Sequence, residues 1–595
     1  MGSLLFKKVD YPIRKLLEDI ALGEIALPDI QRPFVWSTTQ VRDLFDSLYR
    51  GYPIGTLLFW ETGFPGEYRS IGENKKQKTP RLLIVDGQQR LTALYAVIKG
   101  EPIITQDFHS HRLCLAFNPI EEKFEVTNTF IERDPCWISD ISQLWAEQYL
   151  YSFITTFLER LSQCQNLSDA ERMRVPEAIQ RVVRILEYPI VALEISAQAT
   201  EEQVADIFVR INSKGRRLNQ ADFILTLMSV FWDEGRKELE KFCRDARYPP
   251  TNRERPSSYN PYFQPTPDQL LRVDVALAFR RARLEHVYSL LRGKDLQTGQ
   301  FSSEQRDRQF DLLRKAQTYV IDYQHWHDFL QVIKCAGYLH PNMITSKTTL
   351  IYTYALWLIG KRDFSVPLPW LRNLMARWFF MASLTGRYSG SPETRMEQDL
   401  ALLRGQIQLT EFVGALEQEM NSVLTPDYWQ TTLPNELAVA SAQSPVQAAY
   451  FAALCILDAP VLFSTMKVRQ LLDPTSQGWK RPLERHHLFP RAYLERLRFE
   501  RRDINQVANY ALIEWHQNIA IGDKHPREYA PELEKRFAQP TLKQMYYYHA
   551  LPDSWYDMDY VSFLKERRRR IAQVIQAGFN KLVEDFESLR RHPEL

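Results

Sequence analysis

The sequence predicts an α+β multidomain protein, mostly helical. Three observations lead there. The chain has 595 residues, 45% of them hydrophobic and 25% charged, an ordinary globular composition long enough for about three to four domains. Short apolar runs alternate with glycine-terminated helical patterns up to about residue 235. From Asp268 to about Gln418 the apolar spacing is that of helices, and a third region begins near Thr425. The expected division is 1–235, a proline-rich linker over 236–267, a helical connector over 268–424, and a C-terminal domain over 425–595.

Pro28 to Trp36 reads as extended chain. Ser37-Thr38-Thr39-Gln40 has the form of a capping box, with Ser37 as N-cap and Gln40 at the third helical position. Val41, Leu44, Phe45 and Leu48 follow at helical spacing, and Gly51-Tyr52-Pro53 stops the helix. Thr56 to Trp60 and Arg81 to Val85 read as short buried strands. Leu91 to Lys99 is a helix ended by Gly100, and a further helix is expected over Glu201 to Ile211, with Asn219 capping the next. Tyr248 to Pro267 carries many prolines and little periodicity. Leu350 to Ile359, Leu368 to Met381 and Val561 to Leu589 are helical, and Thr385 to Pro392 is a turn-rich interruption.

The balance of charges excludes some classes of function. Lys and Arg number 75 against 73 Asp and Glu, so the whole surface is not a polycation, although local basic faces remain open. The six cysteines have no CxxC or zinc-knuckle spacing, and a reducing cytoplasm is the expected location. The N-terminus does not read as a signal peptide. Ala448 to Phe463 contains Asp458 and Pro460, so it reads as buried core and no membrane partner is expected.

The densest chemistry lies near the C-terminus. Glu484-Arg485-His486-His487-Leu488-Phe489-Pro490 suits a strand end entering a tight loop, and Asn509 and Asn518 follow. Cleaving a phosphodiester requires a water deprotonated near neutral pH, for which a neutral imidazole serves. Imidazole plus an amide oxygen can hold a divalent cation with positions left for phosphate and water. Adjacent strand residues point to opposite sides, so dividing the two roles between His486 and His487 calls for a distorted strand. Arg481, Arg485 and Arg491 belong to a flanking basic collar and are candidate DNA contacts. The run Lys565 to Arg570 is a further candidate, or simply an exposed helical stripe.

A second constellation is Leu82 to Leu94, which reads as strand, tight turn and helix. Gly87 permits the turn, and the first helical turn offers free N–H groups to a phosphate. Arg90 adds a forked cation, Asp86 could orient a metal or water, and Gln88 and Gln89 supply neutral donors and acceptors. By spacing alone a structural turn accounts for it equally well.

The C-terminal set resembles the HNH, or ββα-metal, nuclease motif. That resemblance implies His487 as general base, His486 and Asn518 as metal ligands, and Asn509 as the residue bracing loop and base. His486 stands where many members carry Asp; Mg²⁺ or Mn²⁺ is the expected ion. Ile30-Gln31-Arg32-Pro33-Phe34-Val35-Trp36, Tyr52-Pro53-Ile54-Gly55, Asp86-Gly87-Gln88-Gln89-Arg90 and Ile207 to Gly215 together resemble the N-terminal domain of GmrSD-type, modification-dependent (type IV) restriction proteins. Related chains include BREX-associated and phosphorothioate-sensing defence nucleases. The resemblance implies a ParB/sulfiredoxin-like N-terminal domain that binds and hydrolyses an NTP through Asp86, Gly87, Gln88, Gln89 and Arg90. Gln31 and Arg32 would line the cleft, and Asn212 and Lys214 would reach phosphates. The expected function is NTP- and metal-dependent cleavage of modified phage DNA, with a homodimer as one expected assembly. A nucleotide-gated DNA-binding module without cleavage and an NTPase-linked toxin acting on host nucleic acid are the rival readings.

Overall fold

The structure is a computed structural model that describes residues 4–28, 34, 36–61, 68–69, 81–104, 110–146, 150–164, 166–199, 203–204, 207, 220–250, 256–294, 302–440, 444–472 and 483–591. It divides into two compact units, Met1–Arg236 and Lys237–Leu595.

The first unit is built on a six-stranded mixed sheet. Strands β1 (Phe6–Pro12), β2 (Ile25–Pro28), β3 (Leu57–Glu61), β4 (Tyr68–Arg69), β5 (Leu82–Asp86) and β6 (Pro189–Ile195) lie in the order β1-β6-β3-β5-β2-β4. The pairs β6–β3 and β5–β2 are parallel and the other three antiparallel. Alternation along β3 sends Leu57 and Phe59 into the main core and Leu58 into a smaller cluster with Ile195, Ala199 and Val204. Helices α1 (Ile13–Leu22), α2 (Thr38–Tyr49) and α3 (Gln88–Lys99) fill that main core.

The predicted capping box starts α2: Ser37 Oγ accepts from the Gln40 N–H, and Gln40 Oε1 accepts from the Ser37 N–H at 2.9 Å. In α3 every residue from Leu91 to Ile98 is buried, so this helix has no solvent face and sits at the centre of the unit. Gly100 ends it in the left-handed region. The extended reading of Pro28 to Trp36 and the helix expected over 201–211, with its neighbour's cap at Asn219, fall largely or wholly outside the described residues.

Among the described residues, the regular elements of the second unit are helices apart from one strand pair. Its centre holds α4 (Pro267–Phe279), α5 (Lys347–Arg362), α6 (Leu368–Leu384), α7 (Pro445–Ile456) and, further on, α8 (Trp515–Ile521), α9 (Pro526–Glu534) and α10 (Tyr560–Arg591). Most of α5 and α6 is buried, and α6 packs on α5, α7 and α10. Helices from the expected connector and from the expected C-terminal domain therefore share a core. The described part of the proline-rich segment is also packed into this unit. Ser258 is fully buried, the Trp326 indole N–H donates to its carbonyl at 3.0 Å, and Phe263 is buried nearby. Aromatic anchors and main-chain hydrogen bonds order a stretch that has no helical or strand period.

The turn-rich interruption before residue 392 is a buried ion-pair knot. The Arg387 guanidinium meets the Asp399 and Glu419 carboxylates, and the Tyr388 hydroxyl donates to Asp399 at 2.7 Å. Arg567 corrects the reading of 565–570 as an exposed stripe. It is fully buried, donating to the His549 carbonyl at 3.1 Å and the Ala508 carbonyl at 2.6 Å. Lys565 and Arg569 are exposed. Among the described residues, no helix is long and apolar enough to cross a membrane.

Candidate functional site

In the second unit β7 (Leu483–His487) and β8 (Tyr510–Glu514) form an antiparallel pair, and α8 follows β8 directly. The register is unbroken: His486 faces Ala511 and His487 faces Tyr510. The strand distortion expected from the sequence is absent, and the two imidazoles meet different partners. His486 Nδ1 lies 2.9 Å from Asn518 Oδ1 on α8. His487 Nε2 lies 3.0 Å from Asn505 Oδ1, in the segment between the strands.

Asn509 fixes that segment. Its side chain is fully buried; Nδ2 donates to the Phe489 carbonyl at 3.1 Å and to the Ile504 carbonyl at 3.0 Å, and Oδ1 accepts from the Phe489 N–H at 2.9 Å. Its backbone carbonyl accepts from the Leu488 N–H at 2.8 Å. The Tyr529 hydroxyl on α9 donates to the Leu488 carbonyl at 2.7 Å. The turn after the two histidines is thus held from both sides. Asn509 braces the loop, whereas the residue touching His487 is Asn505, which sequence reasoning missed. Position 505 has no periodic or motif signal, because it acts from a turn.

Burial pushes the His486 imidazole down to about 4, against a partial upward pull from Asn518. Burial also lowers His487, assisted by the nearby Arg485 and Arg491 charges and opposed by the Asn505 hydrogen bond. Both rings are therefore neutral near pH 7, the state needed by a metal ligand and by a base. His487 is half-buried and His486 almost fully buried.

The His486–Asn518 pair fits a divalent ion. Two neighbouring ligands of an octahedral ion at about 2.1 Å are roughly 3 Å apart, and these two atoms are 2.9 Å apart. The Nε2 atom of His486 is buried without a hydrogen-bond partner, and an ion bound at Nδ1 would replace that nitrogen's contact with Asn518. Among the described residues no group of three His, Cys, Asp or Glu could hold a metal, so an ion here would take its remaining ligands from water and phosphate. His516 is exposed, and His525 caps α9 by accepting from the Arg527 N–H at 3.1 Å.

Of the basic collar, Arg485 and Arg491 are exposed. Arg485 lies over the Tyr510 ring at 5.2 Å, and Arg491 pairs with Glu495 at 2.6 Å. Arg481 lies outside the described residues.

In the first unit, Asp86 ends β5, Gly87 is the left-handed N-cap and Gln88 begins α3. The β3–β5 register shifts between Leu58 and Phe59, a bulge beside the turn of the kind that re-aims side chains. Gly87 has φ +92°, and a methyl group on it would come within 2.2 Å of Leu57 Cδ2, so any other residue would be strained and would displace Leu57. Arg90 turns back into the fold: its guanidinium donates to the Ile54 carbonyl at 2.7 Å and the Thr56 carbonyl at 2.8 Å, with Asp86 at 3.5 Å. It ties Tyr52-Pro53-Ile54-Gly55 to the Asp86 turn. Gln31, Arg32, Asn212 and Lys214 lie outside the described residues.

A histidine–asparagine pair lies on a strand–strand–helix frame in the second unit, and a glycine turn opens a buried helix in the first. Residues 13–229 match the family described as the GmrSD restriction endonuclease, N-terminal domain. The match likens this stretch of the chain to the N-terminal domain of that family. The chain is also 23% identical over 538 residues to the uncharacterized protein MJ0686 of Methanocaldococcus jannaschii, covering 86% of this chain and 84% of the relative. That similarity runs well beyond the part matched by the family.

Proposed function

We propose that the protein is a metal-dependent HNH endonuclease, gated by an NTP, that cuts or nicks modified foreign DNA. The observation that carries this reading is the 2.9 Å pairing of His486 with Asn518 beside a half-buried neutral His487, on two strands and a helix. The match of residues 13–229 to a restriction endonuclease domain supports the same reading.

His487 takes a proton from the attacking water. His486 and Asn518 would hold Mg²⁺ or Mn²⁺, whose charge would stabilise the phosphate and the departing oxygen. Asn509 keeps the loop in shape, and Arg485 and Arg491, with Arg481, steer the backbone phosphates. In the N-terminal domain, which we read as ParB/sulfiredoxin-like, the NTP seats on Asp86, Gly87, Gln88, Gln89 and Arg90, and Gln31, Arg32, Asn212 and Lys214 complete the site.

The test is a panel of phage DNAs carrying different modifications, offered to the full chain with each NTP in Mg²⁺ or Mn²⁺. Cleavage that needs the metal and disappears in His487→Ala is the expected result. Cleavage undiminished in that variant would remove His487 as the base, and none under any condition would remove the nuclease.

A further inference from the structure

We propose that Asn505 is the positioning residue of His487: its amide oxygen takes the Nε2 proton of the imidazole and leaves Nδ1 bare to accept a proton from water. The inference rests on the reading of His487 as the base. It departs from the sequence expectation, which gave that duty to Asn509.

All three side-chain hydrogen bonds of Asn509 go to the Phe489 and Ile504 main chain. The atom at His487 Nε2 is instead Asn505 Oδ1, at 3.0 Å. The same oxygen accepts from the Tyr510 hydroxyl at 3.1 Å. An amide oxygen has two lone pairs, so it can take both protons at once. The Tyr510 ring also packs on the imidazole, with centroids 4.4 Å apart, and so fixes its tilt. The ring is held in one orientation and one tautomer.

Asn505 is not a side chain that merely happens to be near. The Tyr560 hydroxyl on α10 donates to the Asp503 carbonyl at 2.7 Å, Asn509 Nδ2 reaches the Ile504 carbonyl, and Arg568 donates to Gln506 Oε1 at 3.2 Å. The residues on either side are pinned, and with them the amide that faces His487. A neutral imidazole has one donor nitrogen and one acceptor, and an acceptor placed at the donor side decides which nitrogen stays basic. Among the described residues, the charged and titratable neighbours of the ring are His486, Arg485, Arg491 and Tyr510, none of which accepts a proton from Nε2 in the structure.

The experiment uses the metal-free full chain with ¹⁵N-labelled histidine, and His487→Ala to identify the His487 signals. At pH 7.5 the nitrogen shifts should report a protonated Nε2 and a bare Nδ1 in the wild type and in Asn505→Asp, which keeps the acceptor oxygen. They should report a mixture in Asn505→Ala. On a cleaved DNA, Asn505→Ala should lower kcat roughly ten- to a hundredfold with KM unchanged, as loss of an orienting partner does, and Asn505→Asp should recover most of it. A protonated Nδ1 in the wild type, or a spectrum and kcat unchanged in Asn505→Ala, would overturn the proposal. If the wild type cuts no DNA, the nuclease reading falls, and the nitrogen shifts alone decide whether Asn505 sets the tautomer.

Discussion

Replacing Asn509 by alanine should loosen the turn after the two histidines while leaving the strand pair formed. The wild-type side chain makes hydrogen bonds of 2.9, 3.1 and 3.0 Å inside a fully buried site. Its removal leaves the Phe489 N–H and carbonyl without partners, whereas the Ile504 carbonyl keeps a long contact with the Tyr560 hydroxyl at 3.4 Å. Each buried group so abandoned costs about 1–3 kcal/mol, which makes the expected loss about 2–6 kcal/mol. The backbone bond from Leu488 N–H to the Asn509 carbonyl survives the change, so the damage should centre on Phe489. Hydrogen–deuterium exchange of the full chain reads this directly. The Phe489 amide should exchange roughly thirtyfold faster or more, because each factor of ten corresponds to about 1.4 kcal/mol. Urea unfolding of the same variant should show a lower midpoint. Exchange at Phe489 within a factor of three of the wild type would refute the view that Asn509 is the brace.

Two further outcomes test the frame around the sites. Gly87→Ala forces a methyl group to 2.2 Å from Leu57 at a φ of +92°, and should lower stability by about 2–4 kcal/mol. Gly51→Ala, at φ +72° in open space, should cost only about 1 kcal/mol in the same thermal melts, and equal losses would contradict the packing argument. His549 is fully buried and depressed from 6.5 to about 4 by burial, with its Nε2 donating to the Pro460 carbonyl at 2.9 Å. The unfolded chain takes up a proton below pH 6.5 and the folded one only below about 4. Stability is therefore complete above 6.5 and falls as pH drops towards 4, by roughly 3 kcal/mol from this group. Urea midpoints at pH 7 and 4.5 should converge in His549→Gln relative to the wild type; the same acid sensitivity in both would rule the group out.

Local signals were legible in the sequence, and tertiary ones were not. Ser37 and Gln40 announced α2, Gly100 the end of α3, and Pro490 the end of β7, because each acts within a few residues of itself. The order of the sheet depends on β1 and β6 joining at positions nearly two hundred residues apart, which no local pattern encodes. Asn505 was invisible because a turn residue has no period. Arg567 was misread because its neighbours share its charge. Yet Phe563, Leu564, Ile571 and Val574 are buried on the same helix, and the helical repeat through them passes through 567, a signal that was there to be used. Arg90 looked like a phosphate fork from its place in the turn, and its carbonyl partners at Ile54 and Thr56 became apparent only when β3 was placed beside β5.

The helix Tyr560–Arg591 has a consequence for the birth of the protein. Through Tyr560, Arg567 and Arg568 it clasps the segment 503–509, yet it is synthesised after that segment. A ribosome that has already released the paired histidines still holds back their clasp. Until it emerges, the half-made chain lacks the hydrogen bonds by which that helix holds 503–509.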